Sequence, residues 1–480
     1  MDKSQSSSGA TTVKLRYDIR ELPPLLFTIV LAIQHLFGMF GATVTVPILV
    51  NQQAGTEVIP IAVALFTSGI GTIWYQIATG WRSPVYLGSS FAFILPIATT
   101  YLLYGMGAVM TGTLAVGIIY IITGFIVMKV GTNWLDKILP PVVRGPMILI
   151  IGLGLSSSAV SQIGISSGSS PSLHHVLVAA ITLVATIAFM VGFRKVLGGF
   201  FNIVPFLMAI IVGYVAACCL GMVDFSTIRE ASWIAVPHFN VIGVDWHLDF
   251  RGLWTFLPLS LATMSEHIGD HKALSTIVGK DLLKDPGLGR TLIGDGGGTG
   301  LAPLFGGPAN TTYGENTSIV GMTKVASVWV ITLAAVFAIA LSFIGKLTAA
   351  IATIPGPVLG GVSVMLYGFI GLNGIKDLVQ NKVNFNYMRN VAIAAPMLVF
   401  GLGGAVLSLM MNGATVFSLS GMSLAAVIGV AINLLLPSDP EELVEIAAQK
   451  DDETILNTVK DTPGLLQQVR QTIAQNQEVD

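Results

Sequence analysis

The chain has 480 residues, 53% of them hydrophobic and only 10% charged, with a formal net charge of -2. Soluble domains carry about 25% charged residues because water must be faced with something, so this composition argues against a large soluble enzyme. The net charge is uninformative about nucleic acid, and no basic cluster interleaved with aromatics appears, so nucleic acid is not an expected partner.

Residues 1–22 are polar and Ser-rich and lack an apolar core segment, so no cleavable signal peptide is expected. Apolar runs too long for strands follow, for example 24–50, 59–78, 110–128 and 325–344. A span needs about 20 apolar residues to cross the hydrocarbon core, and at about 30 residues per span plus loop the stretch up to residue 437 allows about 14 crossings. Cations recur in clusters: Lys3, Lys14, Arg16 and Arg20; Arg82; Lys129, Lys137 and Arg144; Arg194 and Lys195; Lys272, Lys280, Lys284 and Arg290; Lys376, Lys382 and Arg389. Between them lie stretches almost free of cations, at 51–60, 102–107 and the Ser/Gly-rich 156–172. Positive residues stay on the cytoplasmic side, so the alternation predicts an even number of crossings with both termini inside; Lys324 and Lys346, bracketing one apolar run, fit less cleanly. The adjacent Cys218 and Cys219 read as packing residues without a disulfide framework. The acidic tail, 438–480, reads as a solvated appendage without chemistry.

Ionisable groups inside the apolar part are the functional signal, since each costs about 2.5–3.5 kcal/mol to insert at mid-membrane. TMSEHIGDHKAL (263–274) is the densest group: Glu266 and Asp270 share a helical face, and His267 and His271 repeat that spacing on the adjacent face. Asp295 follows in GDGGGTG, and Glu315 in PANTTYGENTSIVGMTK (308–324). The bland alternative for Asp270 and Asp295 is a helix cap at the membrane surface; it suits Glu266 and Glu315 less. The segments 83–103 and 308–323 are short, polar in their first halves and Gly-bearing. Such paired broken segments are the mark of inverted-repeat transporters, which hold substrate where the repeats meet. Gln34 and His35 in QHLFGMFGA would then correspond to SEHIGD in the second half. A metalloprotease reading of His267 and His271 founders on order, because zincins read H-E-x-x-H and this stretch reads H-I-G-D-H with no third ligand evident; no metal and no enzyme activity are expected.

QHLFGMFGATVTVPIL, YLGSSFAFI, KDLLKDPGLGR and NTTYGEN resemble the nucleobase–ascorbate transporter family, most closely its uracil-carrying bacterial members, over nearly the whole chain from about residue 22 to 436. The resemblance implies an all-α polytopic membrane protein with about 14 transmembrane segments in two inverted repeats of seven, and short strands in segments 3 and 10. It implies a core domain in two parts, 23–139 and 251–347, moving against a gate domain, 140–250 and 348–437, between polar tails at 1–22 and 438–480. It also implies a homodimer in the cell membrane that carries uracil with a proton and needs no cofactor. Carried over by position, Glu266 and Glu315 resemble the two base-binding carboxylates, Glu315 standing where purine and xanthine carriers have Gln. Phe91, Tyr313, Gly314, Ala42 and Tyr367 match positions that line or stack on the base, with Gln34, His35 and Asn316 supporting them. Asp295 matches an acidic position of the xanthine carriers where a uracil permease can have Asn, and Asp270 stands where some uracil permeases have His. Proton coupling is therefore expected among Asp270, Asp295, Glu266 and Glu315. Ser318 replaces the Gly of the family signature, while Glu315, Asn316, Thr323 and Lys324 keep it.

The chemistry points the same way. Uracil offers two ring N–H donors, two carbonyl acceptors and a flat face; carboxylates suit the donors with charge-assisted bonds, and aromatics suit the face. A purine or xanthine carrier of the same family is the near alternative. An anion carrier of the related sulfate-transporter architecture is the remoter one, since two central carboxylates repel anions.

Overall fold

The computed structural model describes residues 15–166, 168, 172–192, 205–411 and 414–437. Lys3, Lys14, the Arg194–Lys195 pair and the acidic tail lie outside them. The first half of the chain runs α1 (Leu25–Ala54), α2 (Ile61–Ala78), β1 (Leu87–Ser89), α3 (Ile94–Tyr104), α4 (Met106–Val130), α5 (Asn133–Ile138), α6 (Pro141–Leu153), α7 (Ser156–Ile163), α8 (Leu173–Ile187), α9 (Pro205–Cys219) and α10 (Ser226–Glu230). The second half runs α11 (Leu253–Phe256), α12 (Leu259–Val278), α13 (Leu288–Leu301), β2 (Asn310–Thr312), α14 (Gly314–Thr323), α15 (Val328–Ser342), α16 (Gly345–Ala352) and α17 (Gly356–Gln380). It ends with α18 (Met388–Leu402), β3 (Val406–Met411), β4 (Ala414–Ser420) and α19 (Gly421–Leu435). Proline sits just before or at the first residue of α1, α2, α6 and α17, where its missing N–H has no intrahelical partner to lose.

Among the described residues, 6 helical stretches are long and apolar enough to cross a membrane, and shorter apolar helices such as α15 and α19 accompany them. The helices richest in polar groups, α12, α13 and α14, meet neither description, because Glu266, Asp270, Asp295 and runs of Gly lower their hydropathy. Lipid would not solvate them, and other helices enclose them instead. α2 packs on α15 and α13, α13 also packs on α4, and α1 packs on α15; this makes one set. A second set has α17 against α6, α7 and α8, α8 against α9, and the α18–α19 pair against α6. Small residues set the closest crossings, as expected where helices have no hydrophobic drive to associate. A methyl group on Gly117 of α4 would lie 2.6 Å from the Gly296 carbonyl oxygen and 2.7 Å from Gly300 Cα of α13.

β1 and β2 pair antiparallel, Leu87 opposite Thr312 and Ser89 opposite Asn310, and each leads into a short helix, so the N-terminal ends of α3 and α14 converge on the strand pair.

Three features depart from the sequence reading. The Ser/Gly-rich stretch at 156–172 opens as the helix α7, because Ala159 and Ile163 bury one face of it against α17. Arg144, counted with the surface cations, is 1% exposed and forms an ion pair with Asp377 of α17 at 3.2 Å; a buried guanidinium requires such a partner. The β3–β4 hairpin is not expected from the apolar runs, although Asn412-Gly413 between its strands is a hairpin-turn pair. Lys346 is accounted for by its bonds to the carbonyls of Ile228 and Arg229 at the end of α10.

Candidate functional site

The strand pair and the helices that leave it floor a cavity of about 180 Å³, space enough for a planar ring. Phe91 and Tyr313 are buried at its inner end, and it opens at Lys376 and Gln380, exposed in the last turns of α17. Cations crowd that end of the molecule: Lys280 pairs with Asp18, and Arg82 with Asp285. Glu266 and Asp270 on α12, Thr311 and Thr312 on β2, and Tyr313, Gly314 and Glu315 at the start of α14 line the wall. Six of the residues singled out in the sequence thus meet there: Phe91, Glu266, Asp270, Tyr313, Gly314 and Glu315.

Local structure explains the positions. The Tyr313 hydroxyl donates to the Ser89 carbonyl (2.9 Å) and accepts from Thr43 of α1 (3.1 Å). Its ring covers Gly88, where no larger residue fits. The Thr312 hydroxyl donates to Asp270 Oδ2 (2.9 Å), tying β2 to α12. The Asn316 amide donates to the carbonyl of His35 (3.0 Å) and meets its Nδ1 (3.1 Å), fixing α14 on α1. By contrast Glu266 Oε2 and Thr311 Oγ1, on two residues that line the cavity, are buried without a hydrogen bond of good geometry, the hydroxyl lying beside the carboxyl. Burying such groups poorly paired is costly, so a polar solute in the cavity gains by pairing with them.

The remaining expected residues are not among those lining the cavity. Tyr367 packs edge-on against Phe91, ring centroids 6.0 Å apart, and so sets the position of the lining aromatic. Ala42 and Gln34 are buried on α1. Asp295 lies behind α12, its Oδ2 at 2.7 Å from His267 Nδ1. The ring nitrogens of His267 and His271 all have hydrogen-bond partners, and the described residues hold no group of His, Cys, Asp and Glu fit for a metal ion. Thr311, Thr312 and the Arg144–Asp377 pair had no sequence signal: a lone Thr in an apolar stretch usually bonds its own helix, and the charge pair is separated by 233 positions.

A sequence model of the Permease family matches residues 27–410. The uracil permease of Bacillus caldolyticus is 42% identical over 426 residues, covering 88% of this chain and 95% of that protein. The uracil permease of Escherichia coli (strain K12) is 40% identical over 439 residues, covering 90% and 97%. Among solved structures, the transmembrane domain of a cyanobacterium bicarbonate transporter, BicA, is similar with a TM-score of 0.55 at 13% identity, over 85% of this chain and 97% of that one. The murine anion transporter Slc26a9 in its inward-facing state gives a TM-score of 0.60 at 12% identity, over 91% and 76%. At such identities these two share a fold and nothing finer.

Proposed function

This chain belongs to that Permease family, the nucleobase–ascorbate transporters, and is a multi-pass membrane permease; on that premise we propose that it carries uracil, together with a proton, across the cell membrane. The observation that carries the substrate is the cavity wall: Glu266 and Glu315 face one small cavity beside Phe91 and Tyr313. Two carboxylates accept the two ring N–H groups of uracil, the Thr311 hydroxyl and the N–H groups at the start of α14 serve its carbonyls, and the aromatics cover its face. The names of the relatives support this choice, and so does the resemblance at position 315, where Glu stands in place of the Gln that it implies for purine and xanthine carriers. Anion carriage fits poorly, because Glu266, Asp270 and Glu315 line the cavity and Arg144 is already paired.

The transporter works by alternating access between the two packing sets. In this reading they are the core (23–139 and 251–347) and the gate (140–250 and 348–437), with about 14 spans counted by adding the short and polar helices to the long ones. The cation-rich end faces the cytoplasm with both termini, and the working unit is a homodimer. Uptake of labelled uracil into proteoliposomes, with and without a proton gradient and with competing bases, tests the proposal. Gradient-stimulated uptake, competed by uracil but not by xanthine, is expected; uptake indifferent to the gradient would remove the proton, and xanthine outcompeting uracil would remove the substrate.

A further inference from the structure

Behind the cavity, α12 and α13 close over a cluster that no substrate contact explains. Asp295 is 1% exposed, its Oδ1 has no protein partner, and its Oδ2 lies 2.7 Å from His267 Nδ1. His267 Nε2 lies 3.0 Å from the Thr291 hydroxyl, and the same hydroxyl lies 3.0 Å from the Leu288 carbonyl. A hydroxyl has one proton, so it donates in one direction at a time. When it donates to Leu288, it accepts from His267 Nε2–H. The contact between Oδ2 and Nδ1 then holds a further proton, on a neutral carboxyl donating to Nδ1 or on an imidazolium donating to the carboxylate. When the hydroxyl turns and donates to Nε2, Nδ1 carries the ring's only proton and donates to a bare carboxylate. The second state has one proton fewer, and both contacts of the imidazole are still made.

The nearest titratable neighbour is His271, whose carbonyl partner fixes a proton on its Nδ1 and whose Nε2 faces a Tyr75 hydroxyl that also contacts Ser83 Oγ (2.9 Å). His271, its ring centroid 4.0 Å from that of His267, is held by the His267 carbonyl (2.8 Å) and the Tyr75 hydroxyl of α2 (2.7 Å). Tyr120 of α4 meets the His267 ring edge-on. Glu266 and Asp270 of α12 and Glu315 of α14 face the cavity, and Arg82 and Arg290 sit beyond the end of α2, near Gly80. The cluster is also joined to the substrate wall. His267 follows Glu266 in the chain, and α13 holds β2 through the Thr299 hydroxyl donating to the Asn310 carbonyl (2.7 Å) and the Asn310 amide donating to the Gly298 carbonyl (3.1 Å).

We propose that Asp295 and His267 are the carrier of the coupling proton, with Thr291 as a positioning residue whose hydroxyl turns so that the carrier stays hydrogen-bonded loaded and empty. This deepens the proton-symport reading and rests on it. The test uses the full chain in proteoliposomes holding a trapped pH dye, following labelled uracil uptake and uracil-evoked acidification together over a pH series. Thr291→Val removes two hydrogen bonds from the loaded state (Nε2–H to the hydroxyl and the hydroxyl to Leu288) but one from the empty state, so the loaded state loses more and the pH profile moves to the acid side by up to about one unit, while Thr291→Ser keeps the wild-type profile. Asp295→Asn, which cannot exchange a proton, abolishes the evoked acidification. Wild-type protein that takes up uracil without acidification would sink symport itself. Wild-type acidification together with an unmoved Thr291→Val profile, or with an Asp295→Asn protein that still acidifies, would sink only this carrier. Should the variants not fold, nitrogen-15 spectra of wild-type imidazoles decide: the His267 Nε2 carries a proton at low pH and loses it as pH rises, leaving Nδ1–H, and an Nε2 whose protonation never changes overturns the proposal.

Discussion

Within the cavity, the two carboxylates of α12 differ in what already holds them. Asp270 receives the Thr312 hydroxyl, so part of its capacity serves the strand pair, whereas Glu266 Oε2 has no hydrogen bond of good geometry. Glu266→Gln keeps the shape but exchanges a charged acceptor for a neutral one, and uracil binding by calorimetry should weaken by about 1–3 kcal/mol. Unaltered affinity in folded protein would take Glu266 out of the site. Glu315→Gln should weaken uracil uptake and alter the competition profile among uracil, xanthine and thymine, because an acceptor-only group becomes one that also donates; loss of uracil is the surer outcome, since the change removes a charged acceptor without supplying the whole edge pattern of another base. At this scale the sequence was most legible where a charge stood in an apolar run, since insertion cost singles such residues out. It was silent on Thr291 and Thr311, whose roles arise only when separate helices and strands meet. Tyr367 came out against a lining aromatic but not on the cavity, and Ala42 came out buried on α1, because matching positions convey neighbourhood and not line of sight.

Helix crossings without side chains are where elements are least tolerant. The contact of Gly117 with Gly296 and Gly300 joins α4 to α13, and α13 carries both Asp295 and the bonds to β2. Gly117→Ala must push those backbones apart, so a loss of about 1–3 kcal/mol of stability is expected, read as a lower melting temperature in detergent together with weaker uracil binding; an unchanged melting temperature would mean that the crossing yields freely. The Arg144–Asp377 pair ties α6 to α17 beside the cavity mouth. Arg144→Met strands a buried carboxylate and should cost about 3–5 kcal/mol, whereas Arg144→Met with Asp377→Leu should recover most of it. A double variant as unstable as the single one would show that the geometry of the pair, and not the stranded charge, is what matters. Long apolar helices such as α1 and α4 could be read from hydropathy within a few residues of their ends. The helix α7 could not, because Ser and Gly tracts look alike as loop or helix until a packing partner is known, whereas the β3–β4 hairpin carries a legible signal, Asn412-Gly413 between two β-prone runs, that a reading by apolar-run length passes over.

The cavity opens at one end of the molecule, and side chains from the two packing sets close the other. There Gln53 of α1 donates to Ser158 of α7 (3.4 Å), and Gln162 of α7 donates to Gln52 of α1 (3.3 Å). These polar bonds lie at an aqueous surface, where each contributes only about 0.5–1.5 kcal/mol, so they hold one state without locking it. That is what a carrier requires, since a closure worth many kcal/mol would make the opposite state too rare to use. Transport under alternating access must part α1 from α7. Gln53→Cys and Ser158→Cys, bridged by a short bifunctional thiol reagent in a chain whose exposed Cys219 and neighbouring Cys218 have been replaced by Ser, should therefore stop uptake and exchange together. Uracil binding to the bridged, solubilised protein should persist, because the cavity remains open at Lys376 and Gln380. Cleaving a reducible form of the bridge should restore transport. Full transport with complete bridging would mean that α1 and α7 never separate, and that the solute leaves the cavity by a path other than the one these elements close.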